Sequence, residues 1–261
     1  GRTRHFEHET LYWTKAASVL GLPQVPMQNS EVPLSQEKAL SDLAALLRDN
    51  VPGFAMPSSH REMIMGGWEA LVEENSPLFI EKSPHHLHQR SALDLMVQFS
   101  AEHPHVKVVF VCLIRNPIDT LYSMWTRFFS IPEKQEREWI RAYDNLQYLM
   151  KLKLPNFFVI RYEDLRANNQ SFVKFLDQVI PSPNSAPDFS FFHQHSTKRH
   201  MTDPFFGYTP TTELITLAMR FGYSKVDLNT NQRPLWPFWR TFRVRVLGTI
   251  FYVAPSVIRF L

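Results

Sequence analysis

The chain has 261 residues, 44% hydrophobic and 20% charged, the balance of a globular protein rather than of a disordered or fibrous one. A formal net charge of +3 and an isoelectric point near 9.0 suit anionic ligands, but no long lysine and arginine run is present, so no nucleic-acid partner is expected. The single cysteine, Cys112, excludes an intrachain disulfide and favours a reducing compartment, and eight glycines leave few places for a glycine-rich phosphate loop.

Gly1 to Glu9 is polar and charged, unlike a signal peptide. A short helical pattern follows and ends at Gly21 and Pro23. No strand precedes it, so the sequence is expected to start inside a longer protein or to have lost its front end. Pro23 to Pro33 is a proline-rich loop. Ser35 to Leu47 predicts a helix: Ser35 can cap it, Glu37 favours the dipole, and Leu40, Leu43, Leu46 and Leu47 share a face. A second helix is predicted over Ser59 to Glu74, weakened by Gly66 and Gly67.

Pro77 to Ser83 predicts a short strand ending at Pro84, and His85 to Glu102 a helix. Val106 to Ile114 is almost wholly apolar and rich in β-branched residues, which predicts a strand buried on both faces. It stops at Arg115, Asn116 and Pro117. Asn116 is a good N-cap, Pro117 suits the first helical position, and Asp119 falls in the first turn. A buried strand therefore hands an arginine to a helix N-terminus, a place suited to an anion. The helix is expected to run to about Phe129, and a long one follows over Glu133 to Leu152. Phe157 to Ile160 predicts a third buried strand, Asn168 to Ile180 an amphipathic helix, and Thr211 to Tyr223 a last helix.

Strands alternating with helices predict an α/β fold, a parallel sheet flanked by helices with right-handed crossovers. Residues 234–261 differ in kind. Trp236, Trp239, Arg240, Arg243 and Arg245 suit a membrane interface, yet the stretch is too short and too charged to span one. The expected division is a domain over 1–233 and a basic aromatic arm over 234–261. The arm makes peripheral membrane contact or packs on the domain or a partner. No run of eighteen apolar residues occurs.

Arg115, Asn116, Pro117 and, eight residues after the arginine, Ser123 match the pattern R-(N/D)-P-x(5)-S. In this the chain resembles the sulfotransferases that use 3′-phosphoadenosine 5′-phosphosulfate (PAPS), nearest in motif to the tyrosylprotein and glycan-modifying branches. The resemblance implies a P-loop NTPase-like fold and assigns Arg115 and Ser123 to the 3′-phosphate of the donor. An arginine fork and a hydroxyl are physically suited to that anion. Lys82, in Glu81-Lys82-Ser83-Pro84, stands where the family places a lysine against the oxygen bridging phosphate and sulfate, steadying the leaving group. Glu9-Thr10 resembles the Glu-Thr of the tyrosylprotein branch, whose glutamate is the general base. His5, Glu7 and His8 are rivals in the same stretch. Ser196 and Lys198, in His-Ser-Thr-Lys-Arg-His, resemble a later segment that closes over the donor. The resemblance gives Ser196 to the sulfate or phosphate and Lys198, or Arg199, to the 3′-phosphate.

Arg161-Tyr162-Glu163-Asp164-Leu165 matches the family's Y-E-D-L and is read as architectural, its acids capping the next turn and Leu165 packing inward. One element is missing. No R-S-G-T-T-type loop for the 5′-phosphosulfate occurs, and Gly1-Arg2-Thr3 is too short to count. The implied fold is therefore N-terminally truncated.

The implied activity is transfer of a sulfuryl group from PAPS to a hydroxyl of a glycan, lipid, peptide tyrosine or small molecule, without a metal. The alternative is a truncated or degenerate domain that acts in binding. A nucleotide kinase finds no support, because no Walker-type lysine loop is present. Eleven histidines invite a zinc reading, but one cysteine and no H-E-x-x-H argue against it. A cytoplasmic or membrane-surface location is favoured, with a Golgi lumen following if a longer N-terminus carries an anchor.

Overall fold

In the computed structural model, which describes residues 9–28, 30–167, 175, 198–230, 242 and 246, the stretch from Tyr12 to Glu102 is helical wherever it is regular. The described residues divide into two units, one within Gly1–Val108 and Asn145–Leu149, the other within Val109–Asp144 and Met150–Leu261.

The first unit holds α1 (Tyr12–Val19), α2 (Gln36–Asn50), α3 (His60–Glu74), α4 (His85–His88) and α5 (Arg90–Glu102). Ser35 caps α2 as its sequence predicts, accepting from the Lys38 N–H at 3.3 Å. Leu43 and Leu47 are wholly buried, with Tyr12, Trp13, Ile64, Leu71 and Phe99 around them. Burying each such side chain contributes roughly 1.5–3 kcal/mol. Gly67 is a fitted position within α3. A Cβ there would lie 2.7 Å from Leu47 Cδ1 and 3.0 Å from the Tyr12 hydroxyl. The hydroxyl in turn donates to the Ile64 carbonyl at 2.6 Å.

Two expectations fail in this unit. Residues 77–83 form no strand. Their side chains are fixed individually instead, Phe79 against Trp68 at 5.1 Å and Glu81 by the hydrogen bonds described below. The helix expected from His85 to Glu102 is also broken, at Gln89, whose backbone is extended (φ −117°, ψ 101°). Its buried side-chain amide accepts from the Val25 N–H at 2.8 Å and donates to the Val25 carbonyl at 2.7 Å, as a strand partner would. That pairing holds the Gln89 side chain against the Val25 backbone where the helix is interrupted.

The second unit carries β1 (Phe110–Ile114), α6 (Pro117–Phe128), α7 (Pro132–Lys151, of which 145–149 belong to the first unit), β2 (Phe157–Arg161), α8 (Tyr162–Ala167), a 3-10 turn (Arg199–Met201) and α9 (Thr212–Arg220). β1 and β2 pair in parallel, from Phe110 opposite Phe157 to Ile114 opposite Arg161. The α/β class and the parallel pairing hold. Among the described residues the sheet has two strands rather than three.

β1 is shorter than Val106 to Ile114 and is not buried on both faces. Val111 and Leu113 are 48% and 56% exposed, while Phe110 and Ile114 are buried. Alternate side chains point to opposite faces of a strand, so a continuous apolar run does not by itself guarantee two covered faces. β2 is likewise intermediate along its length. The core of this unit gathers Ile118, Leu121, Trp125, Phe206, Leu214 and Ala218.

α9 ends at Arg220, short of the expected Tyr223, because Gly222 takes a left-handed φ of 84°. Its carbonyl accepts from Arg161 Nη1 at 3.0 Å. The expected helix over Asn168 to Ile180 lies outside the described residues except Phe175, as does the arm over 234–261 except Phe242 and Val246. Among the described residues no helix is long and apolar enough to cross a membrane.

Candidate active site

Glu9 and Lys82 lie 73 residues apart in sequence, and Lys82 Nζ donates to Glu9 Oε1. The two residues assigned to proton transfer and leaving-group stabilisation are thus in direct contact. The lysine side chain is 75% exposed and the glutamate 32%, so the pair opens to solvent, where substrates can reach it. His85 Nδ1 stands 3.4 Å from the other Glu9 oxygen. Burial holds the His85 imidazole below its ordinary value, and the Glu9 carboxylate offsets part of that effect. His5, Glu7 and His8 lie outside the described residues.

Behind the exposed pair is a buried one. Glu81 Oε1 accepts from the Thr10 hydroxyl at 2.9 Å and from His86 Nε2 at 3.2 Å. His86 Nδ1 meets the Thr14 hydroxyl at 2.9 Å. The Glu81 and His86 side chains are 8% and 5% exposed. From sequence these four residues carried no assigned role in the site. The available signal was position: a hydroxyl directly after Glu9 and a carboxylate directly before Lys82.

In the second unit, Arg115 leaves the end of β1. The Tyr143 hydroxyl accepts from its N–H at 3.1 Å and donates to its carbonyl at 3.2 Å. Burial raises the Tyr143 phenol well above its ordinary value, so it stays a donor. The Arg115 guanidinium lies 5.2 Å over the Tyr162 ring, within reach of a cation–π contact. Asn116 caps α6 as expected. Its Oδ1 accepts from the N–H groups of Ile118 at 2.9 Å and Asp119 at 3.3 Å. Two of the helix's free donors are therefore already satisfied. Ser123 is half-buried two turns on, and its hydroxyl makes no hydrogen bond among the described residues.

Asp119 does more than favour the dipole. It is buried, and its Oδ1 accepts from the Lys198 N–H at 2.7 Å and from His200 Nδ1 at 3.0 Å. This anchors the Lys198 backbone beside α6. The exposed Lys198 ammonium lies 4.0 Å from an Asp227 carboxylate oxygen. Ser196 lies outside the described residues. Glu163 also departs from a local capping role. Its Oε1 accepts from the Asn116 N–H at 2.8 Å and its Oε2 from the Tyr223 hydroxyl at 3.1 Å. Leu165 is buried, as its place in Y-E-D-L predicts.

Among the described residues the group with metal-ligand spacing is Glu69, Glu73 and His105, of which Glu73 and His105 are exposed. His105 Nε2 already bonds Glu69 at 2.7 Å, an ordinary contact at the surface.

Residues 34–176 match the model of the sulfotransferase family. The matched span includes Lys82, Arg115 and Ser123 and leaves Glu9, Ser196 and Lys198 outside it. Among solved structures, the sulfotransferase domain from the curacin biosynthetic pathway is similar over 82% of this chain and 78% of that one, at 15% identity and a TM-score of 0.47. No curated protein matches the sequence.

Proposed function

Because the chain belongs to the sulfotransferase family, we propose that it transfers a sulfuryl group from PAPS to an acceptor hydroxyl, with Glu9 and Lys82 as the reacting pair. The observation that carries this reading is the contact between Lys82 Nζ and Glu9. It brings a base and a cation to one exposed corner, where the sulfuryl group would enter between them as they part, the base to the attacking oxygen and the cation to the departing one.

The residues present suit the donor. A half-exposed arginine at a strand end and a serine hydroxyl without a partner among the described residues offer a fork and a donor to a phosphate. Bound PAPS would supply the sulfuryl group and depart as adenosine 3′,5′-bisphosphate. Glu9 takes the proton of the acceptor hydroxyl as its oxygen bonds to sulfur. Lys82 neutralises the charge gathering on the oxygen whose bond to sulfur breaks. Arg115, with Ser123, holds the 3′-phosphate, and Lys198 adds positive charge on the same unit. No step requires a metal ion.

Sulfate incorporation from PAPS labelled in the sulfuryl group, into glycan, lipid, tyrosyl-peptide and small-alcohol acceptors, tests the activity. Titration with adenosine 3′,5′-bisphosphate tests the donor site. Arg115→Ala should weaken that binding roughly tenfold to a hundredfold, the range for a lost charge-assisted hydrogen bond. Unchanged affinity would remove Arg115 from the site. Binding without transfer to any acceptor would mark a binding domain instead.

A further inference from the structure

We infer that the buried Glu81–His86 pair, fastened to Thr10 and Thr14, is a positioning device that holds Glu9 and Lys82 in register; the inference rests on the reading of those two as the reacting pair. Glu9 and Lys82 sit on two coil segments, with no strand ladder described at either residue. Their own contact is too exposed to align the segments, since a solvent-exposed ion pair is worth at most about 1 kcal/mol.

One residue further along each segment the situation changes. Thr10 follows Glu9, Glu81 precedes Lys82, and the hydroxyl of the first donates to the carboxylate of the second at 2.9 Å. His86 adds a second crossing. Its Nε2 meets the same carboxylate oxygen at 3.2 Å, and its Nδ1 meets the Thr14 hydroxyl at 2.9 Å. Segment 81–86 is therefore stapled to segment 10–14 at two points. Both staples lie away from water, where a group left without its partner costs about 1–3 kcal/mol.

The backbone supports the same conclusion. Leu11, between Thr10 and α1, holds a left-handed conformation (φ 53°, ψ 28°). Non-glycine residues keep that conformation where the surroundings over-determine it. The Thr10 hydroxyl also accepts from the Tyr12 N–H at 3.3 Å, so one side chain ties Glu81, the Leu11 turn and the start of α1 together. A slip of either segment would separate base from cation.

Thr10→Val removes the hydroxyl with little change of shape, and Thr10→Ser keeps it. In Thr10→Val, kcat should fall by about tenfold to a hundredfold, the scale set by an ångström of misplacement. KM and bisphosphate affinity should hold, and Thr10→Ser should restore most of kcat. Backbone amides at 9–12 and 81–86 should exchange hydrogen faster in Thr10→Val than in wild type. If wild type transfers sulfate and Thr10→Val retains its kcat, the positioning role is overturned while the activity stands. If wild type transfers to no acceptor, the proposed activity fails, and hydrogen exchange alone decides. A local rise in Thr10→Val then keeps the staple, and unchanged exchange overturns it.

Discussion

The Asn116 N–H donates to Glu163 Oε1 at 2.8 Å, so the turn that bears Arg115 is held by a residue 47 positions later, just past the neighbouring strand. The other Glu163 oxygen takes the Tyr223 hydroxyl at 3.1 Å, and burial keeps that phenol protonated well above its usual range. Glu163→Ala would leave both donors without their acceptor. A loss of about 1–3 kcal/mol in urea unfolding is expected, together with weaker bisphosphate binding through a loosened Arg115 turn. Glu163→Gln, which keeps one acceptor oxygen, should lose less on both measures.

The paired residues should separate in kinetics from the binding residues. Glu9→Gln should lower turnover by about 10²–10⁴-fold, the usual contribution of a positioned base. Lys82→Ala should lower it by roughly 10²–10³-fold, as loss of charge stabilisation does. Adenosine 3′,5′-bisphosphate affinity should survive both changes. A parallel loss of affinity in calorimetry would make them binding residues instead.

His85 provides a pH test of the same corner. Its folded-state value is lowered from 6.5, chiefly by burial, with Glu9 opposing. Below about pH 6.5 the unfolded chain binds this proton more readily than the folded one, so stability falls as pH drops through the folded value. Glu9→Gln removes the opposing charge and should shift the His85 titration further down. The imidazole resonances in NMR would report it, and an upward shift would contradict the arrangement.

Asp119 should matter more to stability than an ordinary first-turn carboxylate. It is 3% exposed and accepts from both the Lys198 N–H and His200. Asp119→Ala leaves the Lys198 N–H and His200 Nδ1 without their acceptor, for which about 1–3 kcal/mol per group is typical. Denaturant midpoints would show this, whereas a loss below about 0.5 kcal/mol would return Asp119 to a helix-dipole role alone.

Cys112 should be a poor nucleophile. Burial raises its thiol from 9.0 to about 11, so at pH 8 only about one molecule in a thousand carries the reactive thiolate. Alkylation by iodoacetamide should be slow at that pH and accelerate toward pH 11. Because the unfolded thiol ionises first, its stabilising contribution is intact below about pH 9 and declines between pH 9 and 11. Rapid labelling of the native protein at pH 8 would contradict this environment.

Local chemistry made part of this protein legible from its sequence. R-N-P-x(5)-S announced a strand end, an Asn116 cap and a helix with Ser123 two turns on, because capping and helix initiation are short-range events. Ser35 at the head of α2 and the buried Leu165 followed for the same reason. What tertiary structure alone decided depends on contacts between distant residues. Gln89 breaks a helix because Val25 offers it a backbone to pair with. Residues 77–83 form no strand, and Val111 and Leu113 remain exposed on a strand whose composition predicted two covered faces. Glu81 and His86 look like surface polar residues until Thr10 and Thr14 arrive from over seventy positions away. Composition and motif specify which groups are available and which short segments turn or coil. Whether a carboxylate is buried, and which hydroxyl it meets, depends on how the chain closes on itself, and no local spacing encodes that.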